Sequence, residues 1–432
     1  MAPRHVIIGS GIAAISAAEA IRRADGGASI TMISAEPYPF YSRPALARLL
    51  AGEIPESHLA IRSAEEVEAL ALERIATRVR SIDPANHRLT VTNGDVLVWD
   101  RLLIATGAET IPHPIDGGDL KGVLQLDGVR DANRMIELAR AARAAVVVGG
   151  GSTAVEIAEG LAAQGPVTHY LMRGLRYWQR VLDPAESAQV EARLARGGIV
   201  LHHQADVARA IGDGGRVVAV ECLDGTRIEC DVLAVSTGVR PRAALASAAG
   251  LHVDRGIVTD RYLATSAADV FAAGDVAQVP DRDGARSTLD TLWSSAELQG
   301  RAAGANMAGV NRPHVPNVAV NVTRLAGIPT TIAGAVGGGS DPDLVMLSRG
   351  QSERWDAPPD AVHLPGERGE DRLRLVVHRG TIIGVLAMGV EQATRPLARL
   401  VGRPIDADAI DRLRHAPAER ALELLVGYCE AN

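Results

Sequence analysis

The chain has 432 residues, 47% apolar and 22% charged, with a formal net charge of -7 and a pI near 6.0. That length exceeds what one core fills, so two or three domains are expected. The acidic balance excludes a nucleic-acid footprint, and no apolar run reaches membrane-spanning length.

The first informative stretch runs from His5 to Glu36. A short apolar strand, His5-Val6-Ile7-Ile8, leads into Gly9-Ser10-Gly11-Ile12-Ala13-Ala14. An alanine-rich helix to Arg23, a second apolar strand at Ser29–Ser34 and the acidic Glu36 follow. This is the dinucleotide fingerprint in its GxGxxA form. Gly9 permits the strand-to-helix turn, Gly11 lets the backbone approach a pyrophosphate, and Ala14 keeps helix and strand close. Glu36 stands where an adenosine ribose would be bonded. The apolar run Val6–Ala18 imitates a signal peptide, but its glycines belong to the fingerprint, and cleavage would orphan the strand that follows.

Next comes Pro37-Tyr38-Pro39-Phe40-Tyr41-Ser42-Arg43-Pro44, a loop rich in rings and prolines, then a helix over Ala45–Ala51 stopped by Gly52. Arg43 reads equally well as a ligand-facing cation or as part of an exposed Arg–Pro turn. Ala76–Trp99 forms a meander broken at Asp83-Pro84 and Asn93-Gly94. A buried strand then ends at Thr106-Gly107, where the chain passes close to a ligand or leaves a domain, and Pro112 and Pro114 mark a linker.

A second fingerprint starts at Ala144, with Gly149-Gly150-Gly151-Ser152-Thr153-Ala154 between a valine strand and a helix over Val155–Ala163. Its acidic residue is missing. Arg173 stands at the end of the next strand with Arg176 beyond it, so that either a 2′-phosphate is paired there or Arg173 is simply exposed. Glu156 lies early in the second helix, as a dipole partner or on the turn that nicotinamide would approach.

A hairpin follows over Val217–Glu229, turning at Asp224-Gly225. The strand Asp231–Gly238 echoes the one into Thr106-Gly107, which places domain crossings near Gly107 and Gly238. At Val270–Ala277 a strand ends in Gly274-Asp275, and the pattern predicts that it enters a helix there, putting a carboxylate at a helix N-terminus. A helix over Leu292–Met307 carries Trp293, which walls a ring site or only packs. From Pro316 the character changes to strands with a hairpin at His378-Arg379-Gly380 and helices through Leu425.

The three cysteines, Cys222, Cys230 and Cys429, form neither a CxxC nor a CxxxxC pair, so they read as reduced thiols of a cytoplasmic protein. No metal-ligand spacing appears.

Together these segments resemble the two-dinucleotide-fold flavoprotein reductases, the pyridine nucleotide–disulfide oxidoreductase superfamily. The resemblance covers almost the whole chain. It implies an α/β architecture of two Rossmann-like dinucleotide-binding domains of three-layer ββα type plus a smaller C-terminal α+β domain. The boundaries expected are 1–110 with 239–312 for FAD, 111–238 for NAD(P)H, and 313–432 for a docking or interface domain. It also implies that Gly9, Gly11, Ala14 and Glu36 hold the ADP half of FAD, while Gly274 and Asp275 hold the flavin's ribityl and phosphate. Gly149, Gly151 and Ala154 would bind NADH or NADPH, with Glu156 near the nicotinamide.

Tyr41-Ser42-Arg43-Pro44-Ala45-Leu46 with Leu50-Ala51-Gly52-Glu53 is similar to rubredoxin and ferredoxin reductases and to the flavin portion of NAD(P)H nitrite reductases. Disulfide reductases carry a redox cysteine in this region, and this chain has none. Leu46-Ala47-Arg48 replaces the usual Leu-Ser-Lys, changing the cation near the flavin but keeping its charge. The branch implies hydride transfer from NAD(P)H to the flavin, with Arg43 or Arg48 balancing charge there. Electrons then leave to an iron–sulfur protein or a partner subunit, and a homodimer would form through the C-terminal domain. The alternatives are an NAD(P)H oxidase or small-molecule reductase and, in another class, a flavin-holding sensor subunit.

Overall fold

The computed structural model describes residues 3–112, 114–338, 344, 346–389, 394–417, 420, 423–424 and 427–428. The chain divides into two compact units, the first formed by 1–45, 55–109 and 239–317 and the second by 46–54, 110–238 and 318–432.

The first unit is built on a five-stranded parallel sheet in the order 270–272, 101–104, 4–8, 29–34, 73–76. Both faces of such a sheet are covered, which is why its strands read as continuous apolar runs: Val6, Ile7, Ile8, Leu102, Leu103 and Ile104 are all buried. The helix Ile12–Ala24 follows the first strand. It ends where Asp25-Gly26-Gly27 removes helix-forming residues, and Arg22 binds the carbonyls of Gly26 and Ala28 at 2.7 and 2.9 Å. The helix Trp293–Met307 packs against it through small residues. A Cβ on Gly300 or Gly304 would stand 2.2 Å from the carbonyl oxygen of Ala13 or Ala17, so only glycine permits this approach. The three-stranded antiparallel meander 79–83, 88–91, 96–98 lies where the sequence places it.

One expectation needs correction. Gly274-Asp275 does not enter a helix. The turn closes with Ala277 N–H on the Gly274 carbonyl at 2.8 Å, and the chain continues as the strand Ala277–Pro280, paired in parallel with Ile257–Val258. The β-branched side chains of Val276 and Val279 favour strand over helix here. The helix of this region starts only at Trp293.

Among the described residues the second unit contains three sheets. Its parallel sheet has the order 200–202, 167–171, 144–148, 232–235, 123–124, with the helix Ser152–Ala163 after the strand Ala144–Val148. The hairpin turning at Asp224-Gly225 joins the strands Arg216–Cys222 and Arg227–Glu229. The short helix Leu46–Leu50 also belongs to this unit: Gly160, lacking a Cβ, makes room for the Leu50 side chain.

The C-terminal sheet is antiparallel, in the order 320–325, 328–334, 381–388, 371–378, 362–368. Arg379 and Gly380, with φ of 48° and 71°, form its expected tight hairpin. Helices Thr394–Leu400 and Ala407–His415 cover one face through Leu397, Leu400 and Leu413. The expected helical stretch continues beyond residue 417, where it falls largely outside the described residues. On the strand Asp371–His378, Leu373, Leu375 and Val377 face those helices, so strand alternation turns Arg374 to the other face. There its guanidinium, 4% exposed, meets Glu186, 2% exposed, at 2.9 and 3.0 Å, and also binds the carbonyls of Val181 and Val336. This buried pair fastens the C-terminal sheet to the helix Pro184–Arg196 of the parallel-sheet layer.

Candidate dinucleotide sites

The two glycine-rich turns are wired alike. Gly9 and Gly149 have φ of 120° and 142°, and a Cβ on either would stand 2.2 or 2.1 Å from the carbonyl oxygen of Ala105 or Ser236. Ala105 and Ser236 each follow the neighbouring strand of their sheet and return an N–H to Ile8 or Val148 at 2.8 Å. The echo between the strands ending at Thr106-Gly107 and at Ser236-Gly238 is therefore structural, because each supplies the backbone against which a fingerprint glycine turns. Ala14 and Ala154 are fully buried, and the Ala154 methyl lies 3.2 Å from where a Gly149 Cβ would be.

Around the first turn, the helix at Ile12 begins with Gly11, which provides no side-chain cap, and there is no acidic residue in its first turn. The helix N-terminus thus presents uncapped N–H groups and a positive dipole end. Gly9, Ser10 and Gly11 are only half-buried, and among the described residues nothing lies within 4 Å of a Cβ on Gly11. Ser10 Oγ meets Ser34 Oγ at 2.8 Å, and Ser34 bonds the Glu36 backbone, which brings the acid beside the turn. The Glu36 carboxylate is held by Arg43 at 2.6 Å and by the Tyr41 hydroxyl at 2.9 Å. An open helix N-terminus beside a fixed carboxylate fits the pyrophosphate and ribose of an ADP moiety.

The structure places the other residues singled out from sequence as follows. Arg43 is paired with Glu36. Arg48 belongs to the second unit, pairs with Glu53 at 3.2 Å and is 58% exposed. Thr106 and Gly107 are tied to Arg242, through Thr106 Oγ1 on its carbonyl at 3.0 Å and its N–H on the Gly107 carbonyl at 2.9 Å. The Gly274 N–H is fixed by Gln299 Oε1 at 2.7 Å, and Asp275 is half-buried beside it. Trp293 stacks on Phe40 at 6.3 Å between ring centroids. Sequence reading missed Tyr41 as a partner of Glu36 and Gln299 as the brace of Gly274. The first was within reach, since both residues lie in one loop, but the second spans 25 positions.

In the second unit the Glu156 carboxylate accepts from the Thr323 hydroxyl at 3.2 Å. Burial pushes its pKa up to about 7, with Glu159 one turn on adding repulsion. Glu159 is likewise raised to about 7 by burial. Both keep protons in the folded protein that an unfolded chain releases near its ordinary 4.5. Their stabilising contribution is complete below that pH and disappears as pH rises through about 7. We expect a loss of roughly 2–4 kcal/mol between pH 5 and 8, reduced from the full linkage value because water partly reaches both groups. Thermal melts across that range should show the fall in wild type and a flatter profile in the Glu156→Gln/Glu159→Gln double variant. An equal slope in both proteins would refute it.

Of the two arginines after the strand Val167–Leu171, Arg176 donates to the carbonyls of Gln179 and Leu182 at 3.2 and 3.1 Å, and Arg173 is half-buried at the strand end. Among the described residues no group of three or more His, Cys, Asp or Glu side chains could hold a metal ion, and no helix is long and apolar enough to cross a membrane.

Residues 3–300 match the family model of the pyridine nucleotide-disulphide oxidoreductases, and the chain belongs to that family. It is an oxidoreductase with FAD as cofactor and a nicotinamide dinucleotide as co-substrate. Among its relatives is the ferredoxin–NAD(+) reductase component of the biphenyl dioxygenase system of Paraburkholderia xenovorans strain LB400, 35% identical over 322 residues, covering 74% of this chain and 78% of that one. The rubredoxin-NAD(+) reductase of Alcanivorax borkumensis is 31% identical over 279 residues, 63% of this chain and 72% of that one. The solved covalent complex of putidaredoxin reductase with putidaredoxin shares the fold, with a TM-score of 0.83 at 22% identity over 100% of this chain and 99% of that one.

Proposed function

We propose that this chain passes electrons from NADH or NADPH, through FAD, to a small iron–sulfur protein of the ferredoxin or rubredoxin class. The observation that carries the reading is the thiol-free loop Tyr41–Arg48: the first cysteine of the chain is Cys222, so no dithiol there can relay electrons internally. Cys222 and Cys230 are buried in the second unit, and burial pushes the Cys230 thiol up to about 12, far from a reactive thiolate. The names of the relatives at 35% and 31% identity point the same way.

Bound FAD supplies the exchange between a two-electron hydride donor and one-electron carriers. The chain's own residues position the partners. The uncapped N-terminus of helix Ile12–Ala24 takes the pyrophosphate, and Gly11 leaves it room. Tyr41 and Arg43 hold Glu36 for the ribose hydroxyls. Gln299 fixes the Gly274 turn and so aims Asp275. Gly149, Gly151 and Ala154 form the nicotinamide nucleotide's turn, with Glu156 on the helix it opens. Arg48 remains a cation on an exposed face, suited to an acidic partner. The proposed domains are 1–110 with 239–312 for FAD, except that 46–54 groups with the second unit, 111–238 for the nicotinamide nucleotide and 313–432 for docking. The free, buried thiols Cys222 and Cys230 support a cytoplasmic location.

Anaerobic mixing of the FAD-loaded protein with NADH or NADPH should bleach the flavin absorbance, and oxidised ferredoxin or rubredoxin should restore it far faster than oxygen does. Restoration by oxygen at an equal rate would point to an oxidase and overturn the reading.

A further inference from the structure

The two fingerprint turns share backbone wiring but differ in what faces them. Gly9, Ser10 and Gly11 are accessible, whereas Gly149, Gly150, Gly151 and Ser152 are all buried. The covering comes from the chain itself. A Cβ on Gly151 would stand 2.6 Å from Ser348 Oγ and 3.7 Å from Gln351 Nε2, whereas among the described residues nothing lies within 4 Å of a Cβ on Gly11. Ser152 Oγ donates to the Arg349 carbonyl at 3.3 Å. The backbone of Met346 and Leu347 passes Gly238, so the segment crosses the carboxyl ends of both strands that flank the crevice.

The segment is anchored as well as adjacent. Asn321 Nδ2 donates to the Gly350 carbonyl at 2.9 Å, Gln351 Oε1 accepts from the Ser348 N–H at 3.0 Å, and Arg349 pairs with Asp127. Ser348 and Gln351 are each 2% exposed, and Leu347 is 3% exposed.

We propose that residues 346–352 form an intramolecular strap that closes the second dinucleotide turn, with Ser348 standing where a pyrophosphate must sit, so that a nicotinamide dinucleotide binds only by displacing it. The proposal rests on the assignment of that turn to the nicotinamide nucleotide. A neutral hydroxyl is a weak occupant of a helix N-terminus, and a doubly charged pyrophosphate is a strong one. The strap therefore yields to the dinucleotide but lowers its apparent affinity by the fraction of molecules in which it is open. Smaller anions and nucleoside monophosphates, with less binding energy to set against closure, are screened out.

The test uses the FAD-loaded protein and NAD+ as the probe. Hydrogen–deuterium exchange should show that saturating NAD+ slows exchange at 149–155 and speeds it at 346–352. Asn321→Ala, which removes one anchor without touching the turn, should tighten NAD+ binding roughly fivefold, the worth of one hydrogen bond, with FAD content unchanged. Protection at 149–155 with exchange at 346–352 unchanged or slowed, and unaltered affinity in Asn321→Ala, would overturn the strap while leaving the nucleotide site in place. If NAD+ protects nothing at 149–155, the nucleotide assignment itself fails, and the strap falls with it.

Discussion

Gly11→Ala is expected to yield a folded protein with melting behaviour close to wild type that has lost most of its affinity for FAD. Gly11 has φ of -79°, an ordinary value for any residue, and among the described residues nothing lies within 4 Å of the added methyl. On the proposed reading, the methyl would project into the space where the pyrophosphate meets the helix N-terminus. Overpacking a close contact costs about 1–3 kcal/mol, a weakening of roughly 5- to 150-fold. Gly9→Ala should behave in the opposite way. Its φ of 120° and the Ala105 carbonyl 2.2 Å from the new Cβ leave no room, so the first unit should fail to fold even without cofactor. Measuring thermal stability of the apoprotein alongside FAD titration separates the two glycines. Full FAD affinity in Gly11→Ala would place the pyrophosphate elsewhere.

Arg374→Ala should be among the most damaging single changes in the second unit. It leaves the Glu186 carboxylate, 2% exposed, without its bidentate partner, and breaking such a buried pair costs about 3–5 kcal/mol. The side chain also donates to two backbone carbonyls, Val181 and Val336, which lose their partner together with the acid. Tryptophan fluorescence follows the outcome directly, because Trp178 and Trp355 stack edge-on at 6.3 Å in the same unit. An Arg374→Met/Glu186→Leu double variant should recover much of the loss, since an apolar pair of similar volume avoids the desolvation cost. A cost below about 1 kcal/mol for Arg374→Ala would show that this pair does not fasten the sheet.

How much of the molecule the sequence discloses depends on the range of the interactions involved. Gly9, Gly11 and Ala14 are legible because a strand, a tight turn and a helix start lie within ten residues, and the turn's steric demand acts on those residues themselves. The same holds for Gly149, Gly151 and Ala154 and for the hairpin at Arg379-Gly380. The helix expected after Asp275 is a local reading that failed: pairing of Ala277–Pro280 with Ile257–Val258 decides for a strand, and that partner lies outside the local window.

Local sequence therefore suffices for the two dinucleotide turns, their strands and helices, and the cysteine-free loop Tyr41–Arg48. Each is a property of neighbouring residues, carried by hydrophobic period and by the φ that glycine alone adopts freely. That Arg374 meets Glu186, that Gln299 holds Gly274, and that Ser348 covers Gly151 while no described residue covers Gly11 are set by the folded packing alone. These contacts join residues 25 to nearly 200 positions apart. No local period or turn chemistry records them, because a buried charge or an uncapped helix end specifies only that a partner is needed, and packing chooses which.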